Sequence, residues 1–212
     1  MSAAVADPTA RDLLRNADPV LARVIDAHPG FRPRAWIEEL PRLDAFGTLV
    51  FEVVGQQLSV PATRTILSRL EERFGGHLPS PSELLAADAQ VLRDSGMSAR
   101  KGATLRAVAE RFVDGRLSDE ALSRMPDDEV EAALTEVPGI GPWTAHGFLI
   151  FALDRPDVML SGDVALRRAV ERAYALDHLP TEDEMTALAE RWRPYRSLAV
   201  GYLFASEFEE AT

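Results

Sequence analysis

The run Val137-Pro138-Gly139-Ile140-Gly141-Pro142-Trp143-Thr144-Ala145 lies between two helical patterns, so the chain must turn sharply there. Gly139 and Gly141 permit positive φ and remove the Cβ atoms that would keep a ligand away from the backbone. Pro142 suits the first position of the helix that follows, where a missing N–H costs nothing. A corner of this kind leaves several backbone amides pointing outward. Amides at a helix N-terminus or in a Gly-rich nest attract anions without any side-chain charge, and a phosphate fits them well. About twenty residues on, Asp163 stands at the start of the next helical pattern. Its carboxylate could face a sugar whose phosphate the turn holds.

Helical spacing dominates the rest of the chain. Val20, Leu21, Val24 and Ile25 form an early stripe ending at His28-Pro29-Gly30, and Phe46 to Leu58 is apolar on several sides. Pro61 opens a helix with Ile66, Leu67, Leu70 and Phe74 inward and Gly75-Gly76 as its stop. Short helices are predicted near 82–87 and 88–95. Ala103, Leu105, Val108, Ala109 and Phe112 then mark a longer one before Gly115. Further helices are predicted over 127–134, 142–153, 164–175, 182–192 and 197–207. Few runs alternate as strands do, so the expected class is all-α. The expected organisation is a disordered lead over 1–17 and two lobes, one of about 40–130 and one of about 18–39 plus 131–212 containing the hairpin. The site is expected in the cleft between them.

Composition excludes several chemistries. There is no cysteine, hence no disulfide, thiolate zinc site or Cys-ligated iron–sulfur cluster. No apolar run approaches the roughly 18 residues of a membrane span. The N-terminus lacks a basic, then apolar, leader, so a cytoplasmic protein is expected. The net charge of −11 argues against a wholly basic nucleic-acid surface but not against a local one. Of 23 cationic residues all but Lys101 are arginine, whose planar fork suits phosphate, although arginine-rich usage also follows from genome composition.

Five segments together resemble the helix-hairpin-helix DNA glycosylase superfamily, and within it the 3-methyladenine DNA glycosylase II (AlkA-like) type. They are Gly55-Gln56-Gln57-Leu58-Ser59-Val60, Gly96-Met97-Ser98-Ala99-Arg100-Lys101, the 137–145 hairpin, Asp163, and Trp192-Arg193-Pro194-Tyr195-Arg196-Ser197. The similarity spans about residues 18–208. The extra N-terminal β-domain of longer members is not expected in this chain. The resemblance implies a two-lobe helical fold and a DNA repair enzyme that flips alkylated purines from double-stranded DNA and hydrolyses the N-glycosidic bond. It implies that Asp163 is the catalytic carboxylate, stabilising positive charge on the sugar and orienting water. Capping of the helix after it is a compatible role for Asp163, and Ser161 is an alternative cap. Members that also cut the backbone carry a Schiff-base lysine where this chain has Trp143, so a monofunctional enzyme is expected.

The same resemblance places pocket aromatics at Trp143 and Phe204 and puts Gly147 where the type member has a pocket tyrosine. Packing is the alternative for Trp143, and core burial for Phe204. It places a wedge for the vacated duplex position at Gln57, with Leu58 as the apolar alternative; a core Leu58 and a helix-capping Gln57 would be the structural reading. Gly139, Ile140, Gly141 and Thr144 are the expected phosphate-binding positions. No cofactor is expected for catalysis. A monovalent cation at the carbonyls of Thr135, Val137 and Ile140 is implied by relatives. Arg167, Arg168, Arg193 and Arg196 are phosphate contacts or salt-bridged side chains, and His146 reaches DNA or packs. Asp154 and Asp157 are expected to shape the loop before Asp163. A monomer is expected. The other readings are a noncatalytic hairpin protein that binds damaged DNA and a glycosylase for oxidised or deaminated purines.

Overall fold

A computed structural model of the chain describes residues 8–32 and 43–209, and every regular element among them is helical. No helix among the described residues is long and apolar enough to cross a membrane. The chain divides into two compact units, Arg42–Leu153 and Met1–Pro41 with Asp154–Thr212.

In the unit Arg42–Leu153, α3 (Ala45–Gly55) is apolar on almost every side, and Leu49, Val50, Val53 and Val54 are fully buried. A helix hydrophobic all round belongs at a centre. Around it pack α4 (Val60–Arg73), α7 (Ala99–Val113) and α10 (Pro142–Phe151). The short helices α5 (Pro81–Ala86), α6 (Ala89–Asp94) and α8 (Asp119–Arg124) and then α9 (Asp127–Thr135) complete the unit. Asp44, Ser59, Ser80, Asp88, Ser98 and Ser118 each cap the helix that follows by accepting one of its orphan amides. The start of α3 is held a second time, as Asp119 Oδ1 accepts from the Ala45 amide at 2.7 Å.

The other unit contains α1 (Pro8–Ala17), α2 (Pro19–Ala27), α11 (Val164–Ala173), α12 (Glu182–Ala189), a 3-10 turn at Glu190–Trp192, and α13 (Arg196–Glu209). Its core holds Leu14, Leu21, Val170, Trp192 and Tyr202. A buried carboxylate lies among them. Asp18 caps α2 through the amides of Val20 and Leu21, while its Oδ2 accepts from the Tyr174 hydroxyl and from Trp192 Nε1 at 3.0 Å. Burial alone would raise the Asp18 pKa. The bonds from Tyr174, Trp192 and the two amides outweigh it and hold the carboxyl below its ordinary value.

Two sequence expectations differ from the structure. Residues 8–17 of the expected disordered lead form α1, because Ala10 and Leu14, one turn apart, bury fully and Arg11 donates to the Phe31 carbonyl. The remainder of that lead, 1–7, lies outside the described residues. The hairpin belongs with Arg42–Leu153 rather than with the chain ends, because Gln56 and Thr104 bind it to α3 and α7.

Candidate functional site

The hairpin joins α9 to α10. Val137 is buried, its carbonyl accepts from the Ile140 amide at 3.0 Å, and Gly139 sits at φ +96. A Cβ on Gly139 would lie 2.1 Å from Thr104 Oγ1, which donates to the Pro138 carbonyl at 2.9 Å. Glycine is thus required there for both conformation and space. Gly141 is the N-cap of α10, extended and with no side chain capping the first-turn amides; a Cβ there would meet nothing within 4 Å. That leaves the N-terminus of α10 open to an anion.

Two expected phosphate positions are committed inward. The Ile140 amide is spent on Val137 and its side chain is buried. Thr144 is buried as well, with its hydroxyl accepting from Gln56 Nε2 at 3.0 Å. Thr135 ends α9, its hydroxyl bonded to the Glu131 carbonyl, and the carbonyls of Thr135, Val137 and Ile140 are neutral oxygens of the kind that suit a hard cation. Among the described residues no group of three His, Asp or Glu side chains could hold a metal ion.

The turn after α3 is tied to this hairpin. Gln56 has φ −49 and ψ 124, Gln57 has φ +58, and the Leu58 amide donates to the Gly55 carbonyl at 3.0 Å, which is a type II turn with glutamine in its left-handed position. Gln57 and Leu58 are exposed, Leu58 at 41%. The capping residue of α4 is Ser59, so neither core burial of Leu58 nor capping by Gln57 holds. Gln56, which the sequence reading did not single out, donates to the Gly139 carbonyl and to Thr144 Oγ1, both at 3.0 Å. Lys101 Nζ donates to the carbonyls of Val54 and Gln56 at 2.7 and 2.8 Å. Burial pulls the ammonium below its ordinary pKa.

Trp143 on the first turn of α10 is 41% exposed, which excludes ordinary core packing. His146 pairs with Glu131 at 2.9 Å. Gly147 is buried, and its missing side chain is replaced by the Glu52 carboxyl: a Cβ at Gly147 would stand 2.8 Å from Glu52 Oε2.

In the other unit, Asp163 caps α11, accepting from the Leu166 amide at 2.8 Å, and is half-buried. Ser161 bonds Thr186 instead. The segment leading to Asp163 is anchored by the Trp192–Ser197 motif. Ser197 donates its amide to the Pro156 carbonyl and its hydroxyl to the Arg155 carbonyl, and its Oγ accepts from the Val158 amide. Arg193 and Arg196 both bind Asp157, so the two arginines shape this loop together with that aspartate. Asp154 has φ +58 at the loop's start. Arg167 donates to the Pro180 carbonyl and Arg168 is exposed. Phe204 on α13 is half-exposed, while its neighbours Tyr202 and Leu203 are buried.

An anion-receptive hairpin, an exposed polar turn braced against it and an anchored aspartate agree with a comparison to known families. The model of the HhH-GPD superfamily of base excision DNA repair proteins matches residues 50–194. The chain belongs to this superfamily. DNA-3-methyladenine glycosylase 1 of Schizosaccharomyces pombe is 30% identical over 184 residues, which cover 86% of this chain and 79% of the relative. A putative DNA-3-methyladenine glycosylase of Bacillus subtilis is 33% identical over 160 residues, or 73% of this chain and 56% of that protein, so the chain spans little more than half of the Bacillus relative. Among solved structures, the S. pombe 3-methyladenine DNA glycosylase in complex with abasic DNA is similar with TM-score 0.86 and 29% identity, covering 93% of this chain and 96% of that one. This superfamily member therefore shares a helical fold with a structure that holds DNA.

Proposed function

We propose that the chain is a monofunctional DNA glycosylase that flips alkylated purines of the 3-methyladenine and 7-methylguanine type out of double-stranded DNA and hydrolyses their N-glycosidic bond. The observation that carries this reading is Asp163, a half-buried carboxylate fixed by the Leu166 amide where the family resemblance puts the catalytic aspartate. The names of the relatives support the same substrate class.

Alkylation at N3 or N7 gives the base a positive charge. When the C1′–N bond breaks, its electron pair moves to that base, which leaves as a neutral molecule and needs no proton from an acid. Positive charge develops on the sugar, and the Asp163 carboxylate stabilises it. Water then bonds to C1′ and gives up its proton to Asp163 or solvent, leaving an abasic site. The amides around Gly139 and Gly141 bind phosphate. Trp143 and Phe204 stack with the unstacked base, where cation–π attraction favours a charged ring. Gln57, with Leu58 beside it, fills the vacated duplex position.

Strand cleavage through a Schiff base needs a free amine. Trp143 offers none, and the sole lysine, Lys101, has its ammonium bonded to two carbonyls. A monovalent cation at the carbonyls of Thr135, Val137 and Ile140 would add positive field near the bound phosphate. The protein acts as a monomer in the cytoplasm in this reading.

The test is base release from methylated duplex DNA by wild type and Asp163→Asn, with products separated before and after alkali. Free methylpurine from wild type alone, with strand breaks only after alkali, is expected. Lesion-dependent binding without release by either protein would instead make the chain a damage-binding hairpin protein.

A further inference from the structure

Glu52 is a carboxyl that the reaction above does not use. It lies on α3 one turn before Gln56, and the two side chains meet α10 in succession: Gln56 at Thr144, Glu52 at Gly147. Residues four apart on a helix share a face. The Glu52 residue is buried, and its Oε1 has no hydrogen-bond partner. A buried polar atom left without a partner costs about 1–3 kcal/mol, so such an atom in a native fold calls for an explanation.

The position offers one. Gly147 lies one helical turn beyond Trp143, on the same face of α10. A side chain at 147 and the Glu52 carboxyl cannot both be accommodated as they stand, since even a Cβ would come within 2.8 Å of Oε2. We propose that the Glu52 carboxyl, seated against Gly147, is the specificity-determining group that gives a positively charged flipped base its preferred partner. This inference rests on the glycosylase reading above.

The chemistry follows from burial. Desolvation pushes the Glu52 pKa up to about 8, so the group is a neutral acid at pH 7 in the free protein. A cationic base brought against it favours the ionised form. The carboxyl O–H bond then breaks, its proton passes to solvent, and the carboxylate accepts a charge-assisted hydrogen bond from the cationic ring system. An uncharged base gains only a neutral hydrogen bond.

The experiment compares Kd for duplexes containing 7-methylguanine, a cation, with duplexes containing hypoxanthine, which is uncharged. The proteins are Asp163→Asn, to prevent turnover, alone and combined with Glu52→Gln or with Gly147→Ala. Wild-type release of 7-methylguanine is measured alongside. Glu52→Gln keeps shape and hydrogen-bonding capacity but cannot ionise. Its expected effect is a loss of preference for the charged lesion on the order of tenfold, the difference between a charge-assisted and a neutral hydrogen bond. The Kd for hypoxanthine should stay nearly constant. Gly147→Ala, which displaces the carboxyl, should move the ratio the same way. If both lesions weaken together or neither changes, while wild type still releases 7-methylguanine, the role of Glu52 is overturned and the glycosylase reading stands. If wild type neither releases nor prefers any lesion, both fall.

Discussion

Gln56 donates its side-chain amide to the Gly139 carbonyl at 3.0 Å across 83 residues of sequence, joining the turn that carries Gln57 to the hairpin that carries Gly141. A second bond from the same nitrogen to Thr144 fixes its direction. The two elements proposed to touch DNA from this unit are therefore braced against each other.

Gln56→Ala should cost about 1–3 kcal/mol in urea unfolding, because it strands a carbonyl and a part-buried hydroxyl. It should also weaken binding to lesion-containing duplex more than binding to single-stranded DNA. Unchanged stability together with unchanged lesion binding would show the brace to be incidental.

Gly139→Ala combines a left-handed backbone with a Cβ 2.1 Å from Thr104 Oγ1. A loss of about 3 kcal/mol or more is expected from strain and overpacking together. Adding Thr104→Ala removes the colliding hydroxyl and should recover part of that loss, leaving the backbone strain of about 1–2 kcal/mol. No recovery in the double variant would place the defect elsewhere.

Asp18→Ala removes the cap of α2 and the acceptor of Tyr174 and Trp192, and should destabilise the protein by about 2–4 kcal/mol at neutral pH. The Asp18 carboxyl is held below its ordinary value in the folded state. Its electrostatic contribution is therefore present above the unfolded pKa and lost as pH falls through the folded one. Thermal melts of wild type and Asp18→Asn, which preserves most of the packing, should converge toward acid. A gap independent of pH would mean that the carboxylate's charge contributes nothing.

Glu52 behaves in the opposite sense. Its folded pKa is raised from 4.5 to about 8, so the folded state keeps a proton that the unfolded chain releases. Stability relative to Glu52→Gln is greatest below pH 4.5 and is lost as pH rises toward 8, at up to about 1.4 kcal/mol per pH unit inside that window. Urea unfolding of both proteins at pH 5 and pH 8 measures this directly. Glutamine should gain by a few kcal/mol between the two, and an unchanged difference would mean that Glu52 titrates normally.

Sequence alone determined what local physics controls. Apolar spacing of 3.6 residues marked most helices, because a helix buries one face regardless of what covers it. Pro-Gly-Ile-Gly fixed a turn, and Asp163 ahead of Val164 announced a cap that the structure contains. α1 was missed because its stripe is short and lies in a polar segment; Ala10 and Leu14 become core only when the partners of that unit assemble. Helical spacing does not say which apolar side chains remain uncovered, so the wedge reading of Leu58 and the pocket reading of Trp143 stood beside core and packing alternatives until the fold left both side chains exposed.

Tertiary structure alone decided who meets whom. Gln56 finds Thr144 across 88 residues, Lys101 finds Val54 across 47, and Asp18 finds Trp192 across 174. Glu52 becomes a buried acid only because α10 presents a glycine to it. Hydrogen bonds and desolvation act over a few ångströms of space, so groups far apart in sequence share an environment only after the chain has folded.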